Sequence, residues 1–248
     1  MDDLESLALN FYDKEYIDGI PVLVNPKRLN NITGIVKTFT NYIETEGKFG
    51  EIGEDLLRLE GIFRSLQSEG LINKIVTVVG FEWQLWFDKF EGIEKITGID
   101  INANQVKLYI EKVIKERGMS STEEDIKSGR LTLILDNILN LPDEVYERFF
   151  IGSTIFLSNL PDYFISEEDF FKFFDKLKEF LTEGQHIIFS TKTIGKNNTT
   201  ERRIRLWADR NKDLILRDNK DFPDSKIKVE ESSYSGLIDD FFVLTKVI

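Results

Sequence analysis

The sequence predicts an α/β fold: a doubly wound, mostly parallel sheet that ends in an antiparallel hairpin and comes after a helical cap. Three observations predict it. Five short apolar runs rich in β-branched residues alternate with stretches of helical spacing, the order that builds a parallel sheet through crossover helices. Lys74 to Gln105 reads strand, glycine turn, helix, strand, acid, which is one βαβ unit. Near the end, residues 226–232 and 241–247 flank Ser235 and Gly236, as an antiparallel pair joined by a loop does.

From the N-terminus, residues 2–18 have helical spacing, with Leu4, Leu7 and Phe11 on one side and Tyr12 and Tyr16 one turn apart. Asp18-Gly19 and Asn25-Pro26 punctuate the next stretch. Residues 27–45 and 55–67 are expected to be two more helices, which makes residues 1–70 a helical cap and 71–248 the sheet-bearing domain. Ile75–Val79 is an uninterrupted run of apolar and β-branched residues ending at Gly80, the signature of a strand buried on both faces. Phe81 to Phe90 has helical spacing with Trp83, Trp86, Phe87 and Phe90 on one side, a stripe that reads as core. Ile96–Ile99 is the next strand and delivers Asp100 at its end; a helix from Asn102 stops at Gly118. Leu131–Leu135 ends in Asp136-Asn137, and a short helix runs to Phe149. Thr154–Leu157 leads into Ser158-Asn159-Leu160-Pro161-Asp162-Tyr163. Ser166 with Glu167, Glu168 and Asp169 after it caps a Phe-rich helix reaching Leu181. Gln185–Thr191 is the fifth strand, and a further helix contains Arg203 to Asp209.

Composition narrows the function classes. With 41% hydrophobic and 31% charged residues among 248, and twenty phenylalanines, the chain suits a globular α/β protein with a bulky core. A net charge of −12 opposes a nucleic-acid substrate, because such affinity comes largely from neutralising phosphates. No cysteine means no thiolate chemistry, and one histidine excludes a histidine-rich metal site. His186 begins an apolar strand, where a satisfied structural imidazole is the expected role. No apolar run is long enough to span a bilayer, and the acidic start is unlike a secretory leader, so the expected compartment is cytoplasmic.

In open α/β sheets ligands sit beyond the carboxyl ends of the strands. Those ends are Gly80-Phe81-Glu82, Asp100-Ile101-Asn102, Asp136-Asn137, Ser158 to Tyr163 and Thr191-Lys192. Gly80 either lets the backbone approach a ligand or simply closes a tight turn. Asp100 lies twenty residues after Gly80, about the spacing at which a carboxylate meets ribose hydroxyls; the alternative is a surface cap for the next helix. Asp136 is either a ligand acid or a turn acid.

With its five strand–helix units and closing hairpin, the region from about residue 70 to 248 resembles the class I S-adenosylmethionine (SAM)-dependent methyltransferases, whose seven-stranded sheet takes its last strand antiparallel. The resemblance implies SAM as cofactor. It also implies roles: Gly80, Phe81 and Glu82 at the amino-acid end, Asp100 on the ribose with Ile101 against adenine, and Asp136 with Asn137 at the adenine amino group, with Ser158 completing the pocket. Asn159, Asp162 and Tyr163 would face a small, amine-bearing or cationic acceptor. Ser158 to Tyr163 is similar to the Asn-Pro-Pro-Tyr motif of amino-group methyltransferases, interrupted by Asp162. The family's loop carries an acid and several glycines; here Val78-Val79 precede a single glycine, which implies an altered pocket. Asp100-x-Asn102-x-x-Gln105, taken with the segment around Asn159, also resembles enzymes that transfer the 3-amino-3-carboxypropyl group of SAM in betaine-lipid synthesis. A non-catalytic partner-binding module on the same fold is the third expectation.

Overall fold

The computed structural model describes residues 11–29, 64–80, 91–111, 124–125, 128–158, 160, 164, 166–191, 199–218, 221 and 240–247. Nine strands form one sheet: β1 (Asp13–Ile17), β2 (Ile20–Val24), β3 (Ile75–Val79), β4 (Lys95–Asp100), β5 (Leu131–Leu135), β6 (Thr154–Ser158), β7 (His186–Thr191), β8 (Leu214–Asp218) and β9 (Asp240–Lys246). Their spatial order is β1-β2-β5-β4-β3-β6-β7-β9-β8. From β2 to β7 every neighbouring pair is parallel, whereas β1–β2, β7–β9 and β9–β8 are antiparallel. Chain order runs outward from β3 through β4 to β5, then returns to β6 on the other side of β3. The switch point therefore lies at β3, and the crevice at the carboxyl ends of β3, β4 and β6 is where such sheets take ligands.

Two expectations are corrected. Residues 13–24 are not helical: they form a hairpin that extends the sheet, so the sheet has nine strands rather than seven. Asp18 (φ 51°) and Gly19 (φ 85°) both adopt positive φ between the paired residues Ile17 and Ile20, the backbone a two-residue hairpin turn requires. β9 lies between β7 and Leu214–Asp218, antiparallel to both, and at Leu214–Asp218 the sequence predicts no strand. The proposed partner, residues 226–232, lies outside the described residues, as do most of the remaining cap and the aromatic stripe of residues 81–90. Residues 64–68 are helical, overlapping the end of the helix expected over 55–67.

Helices pack on both faces of the sheet. On one face α1 (Ala103–Tyr109) places Val106 and Tyr109 against Val76, Val78, Ile96 and Leu133, with Leu66 in the same cluster. On the other, α2 (Asp143–Phe149), α3 (Glu167–Glu179) and α4 (Thr199–Arg210) cover Val79, Ile99, Ile134, Leu157 and Phe189. The start of α3 is dictated by its sequence: Ser166 Oγ accepts from the Asp169 N–H at 3.0 Å and donates to the Asp169 carboxylate at 2.6 Å. Its Phe-rich face is buried, and Trp207 of α4 packs on Phe174 while donating from Nε1 to Asp175 at 2.7 Å. Charged β1 forms one margin of the sheet, with Asp13, Lys14 and Glu15 exposed, a composition that discourages edge-to-edge association. No helix among the described residues is long and apolar enough to cross a membrane.

Candidate functional site

The carboxyl ends of four adjacent strands bring three predicted positions and one neighbouring asparagine into a row. The Gly80 N–H donates to Ile99 O (2.9 Å), the Asp136 N–H to Asp100 O (2.8 Å), and the Asn25 N–H to Leu135 O (3.0 Å). Gly80, Asp100, Asp136 and Asn25 thus sit side by side across β3, β4, β5 and β2. Gly80 has φ 71°, a left-handed conformation that turns the chain out of the sheet where a side chain would be strained.

Asp100 is buried, with 3% of its surface exposed. It is not the helix cap. That role belongs to Asn102, whose Oδ1 accepts from the N–H groups of Asn104 (2.9 Å) and Gln105 (3.3 Å). Asp100 instead accepts from the Asn102 N–H at 2.8 Å, a contact that fixes the carboxylate at the mouth of the strand. The surface-cap alternative is thereby set aside by burial. Ile101, beside it, is also buried.

Asp136 is held by the N-terminal segment. Its Oδ2 accepts from the Tyr12 hydroxyl at 2.7 Å, and its Oδ1 from Asn25 Nδ2 at 3.0 Å and from the Asn137 N–H at 2.7 Å. With four acceptor positions on a carboxylate, three are filled from within the protein. Burial raises the Asp136 carboxyl above the ordinary carboxylate range, while Tyr12, the Asn137 N–H, Asn25 and the charge of Arg28 pull it back. Burial, and then the charge of Asp136, raise the Tyr12 phenol. The phenol is therefore the proton donor in this pair.

Removing that donor has a pH-dependent consequence. A carboxyl whose folded pKa is raised binds its proton more tightly folded than unfolded, so stability falls as pH rises through the window between the two values. Tyr12→Phe removes one of the groups that lower the folded value and moves the upper limit of that window up. The variant is expected to lose roughly 1–3 kcal/mol at about pH 7 and less at about pH 4. Urea unfolding at both pH values checks this; an equal loss at both shows that the phenol stabilises only by packing.

Two buried carboxamides complete the site. Asn137 Oδ1 accepts from the Leu139 N–H at 3.1 Å and caps a short 3₁₀ turn, but its Nδ2 has no partner among the described residues. Gln105, 1% exposed, has neither Oε1 nor Nε2 paired among them. Of the remaining expected site residues, Ser158 closes β6, whereas Phe81, Glu82, Asn159, Asp162 and Tyr163 lie outside the described residues. His186 bonds Thr245 Oγ1 through Nδ1 at 3.0 Å, and burial lowers its pKa, as a structural imidazole behaves. Sequence reasoning weighed Tyr12 as a pocket cover but favoured a packing role for it, and missed Asn25 as a site residue. The signal that leads to them is Asp18-Gly19 before the apolar run Ile20–Val24, which turns the N-terminal segment back along β5.

No protein-family model and no curated protein matches the sequence. Solved structures do match in fold. The N-methyltransferase NodS from Bradyrhizobium japonicum WM9 superposes with TM-score 0.52 at 10% identity, over 79% of this chain and 99% of that one. The methyltransferase domain of bacterial CtHen1 gives 0.51 at 16% identity, over 78% and 100%. The plantazolicin methyltransferase BamL, solved with a desmethylplantazolicin analogue and S-adenosylhomocysteine (SAH), gives 0.51 at 10% identity, over 79% and 86%. The chain has the class I SAM-dependent methyltransferase fold.

Proposed function

We propose that the protein is a SAM-dependent methyltransferase acting on a small, amine-bearing or cationic acceptor. The observation that carries this reading is the set of buried polar side chains, Asp100, Asp136 and Asn137, at the carboxyl ends of β4 and β5, beside the switch point of a sheet with this strand order. The residues present fit a nucleoside: Asp100 supplies acceptors for ribose hydroxyls, and the unpaired Asn137 Nδ2 offers a buried donor for a purine ring nitrogen. An unsatisfied buried donor is uncommon and costly, and a ligand nitrogen would satisfy it. Among the described residues three bonds reach the carboxylate of Asp136, and its fourth acceptor position would take an exocyclic amine.

When bound, SAM supplies a sulfonium methyl open to in-line displacement. The chain's own residues would position the reactants and steer a proton, which is where most of the rate of such a transfer originates. Asp100 and Asn137 would hold the nucleoside, Gly80 would allow close backbone approach, and Ile101 would lie against the purine. Asn159, Asp162 and Tyr163, which come after β6 in the chain, would face the acceptor, Asp162 orienting or deprotonating an amine. The net charge of −12 supports a cationic acceptor over a nucleic acid, and one fold neighbour is described as an N-methyltransferase.

Calorimetric titration with SAM and SAH tests the reading, with product identification on an amine panel as the second step. Micromolar binding with release of SAH is the expected result. Release of methylthioadenosine would instead mark transfer of the aminocarboxypropyl group, and a folded protein that binds neither ligand would be a partner-binding module on this fold.

A further inference from the structure

Gln105 carries the least explained polar group in the described structure. The sequence Asn102-x-x-Gln105 has the spacing of a capping box, in which the third helical residue reaches back to the N–H of the cap. Half of the box forms: Asn102 Oδ1 accepts from the Gln105 N–H at 3.3 Å. The reciprocal half does not, because the Asn102 N–H is already taken by Asp100 Oδ1 at 2.8 Å. The Gln105 amide is left 1% exposed with both polar atoms unpaired among the described residues.

Its direction is set by helix geometry. Gln105 shares a face of α1 with Tyr109, one turn on, and Tyr109 packs into the core between α1 and the strands. Helical side chains lean toward the helix N-terminus. The start of α1 adjoins the carboxyl end of β4, so the Gln105 amide is directed toward the layer that holds Asp100.

We propose that Gln105 determines ligand specificity at this site by pairing with the vicinal diol of a ribose held on Asp100. The inference rests on the nucleoside-binding reading of the site and adds a residue to it. A carboxylate only accepts; hydroxyls that donate to Asp100 keep oxygen lone pairs in need of donors, and Gln105 Nε2 supplies one. The displaced capping group thus becomes the complement to the acid that displaced it.

The test uses the full chain, wild type and Gln105→Met, a near-isosteric apolar replacement. Unliganded melting temperature is measured, together with affinity for SAH, adenosine, 2′-deoxyadenosine and 3′-deoxyadenosine. Removing an unsatisfied buried amide is expected to raise the unliganded melting temperature by about 2–6 °C while weakening SAH binding roughly tenfold or more. Wild type should discriminate against at least one deoxynucleoside by roughly tenfold, and the variant should lose most of that discrimination. Unchanged SAH affinity, unchanged discrimination or a lowered melting temperature in the variant would each overturn the role. Should the methionine variant not fold, Gln105→Leu carries the same expectations. A wild type that binds no nucleoside overturns the underlying reading and this inference with it, an outcome read in the wild-type arm alone.

Discussion

Replacing Asp100 with alanine is expected to weaken SAH binding by roughly a hundredfold or more. The figure comes from two charge-assisted hydrogen bonds, each contributing about 1.5–3 kcal/mol in a buried setting. Asp100 is 3% exposed and stands between Gly80 and Asp136 on neighbouring strand ends, so water is a poor substitute for the lost carboxylate. Alanine also strips the Asn102 N–H of its acceptor, a structural cost that would confuse the result. Asp100→Asn separates the two effects: its carbonyl still accepts from Asn102 while the charge is gone. Expected is an Asn variant with near wild-type melting temperature and binding as weak as that of the alanine variant. Binding retained in both would dismiss Asp100 as a ligand residue and take the proposed methyltransferase site with it.

The second large effect is on stability. Phe174 is fully buried and touches Phe170, Phe173, Phe189 and Trp207, with ring centroids 4.5, 5.3, 6.0 and 5.1 Å away. It joins α3 to β7 and α4 in one aromatic cluster. Phe174→Ala removes the ring from surroundings that cannot collapse around the void, since its neighbours are anchored in helices and a central strand. A loss of about 3–5 kcal/mol is expected, with a melting temperature lower by roughly 6–20 °C for a chain of this size. Guanidinium unfolding reads the free energy directly. A loss under about 1 kcal/mol would mean that the cluster repacks.

How much of the fold is legible in the sequence depends on burial. Ile75–Val79 and Leu131–Leu135 can be read to the residue because strands buried on both faces carry unbroken runs of apolar and β-branched residues. Residues 13–17 mislead because Tyr12 and Tyr16 are one helical turn apart, while β1 is mostly exposed and lacks an apolar face to give it away. Leu214–Asp218 escapes notice for the same reason: Leu214 is buried, but Ile215 is half exposed and Arg217 and Asp218 are only partly covered. Asp100 stands out because it ends an apolar strand twenty residues after Gly80. The unpaired amide of Gln105 does not, since a capping-box spacing gives no hint that a neighbouring acid takes the N–H of the cap. Tyr12 and Asn25 reach Asp136 across more than a hundred residues of sequence, and no local pattern encodes such a contact.

The place of β9 between β7 and β8 bears on how the molecule is made. Among the described strands β8 has no neighbour but β9, so residues 214–218 leave the ribosome with no sheet to join. The edge of β7, with Ile187, Ile188 and Phe189 along it, stays uncovered for the same interval. From Thr191 to Lys246, translation at about 5–20 residues per second takes roughly 3–11 s. During those seconds the nascent chain offers an adhesive apolar ribbon to its neighbours, and crowded polysomes or slow codons in this stretch would lower the yield of soluble protein without altering one contact of the finished fold.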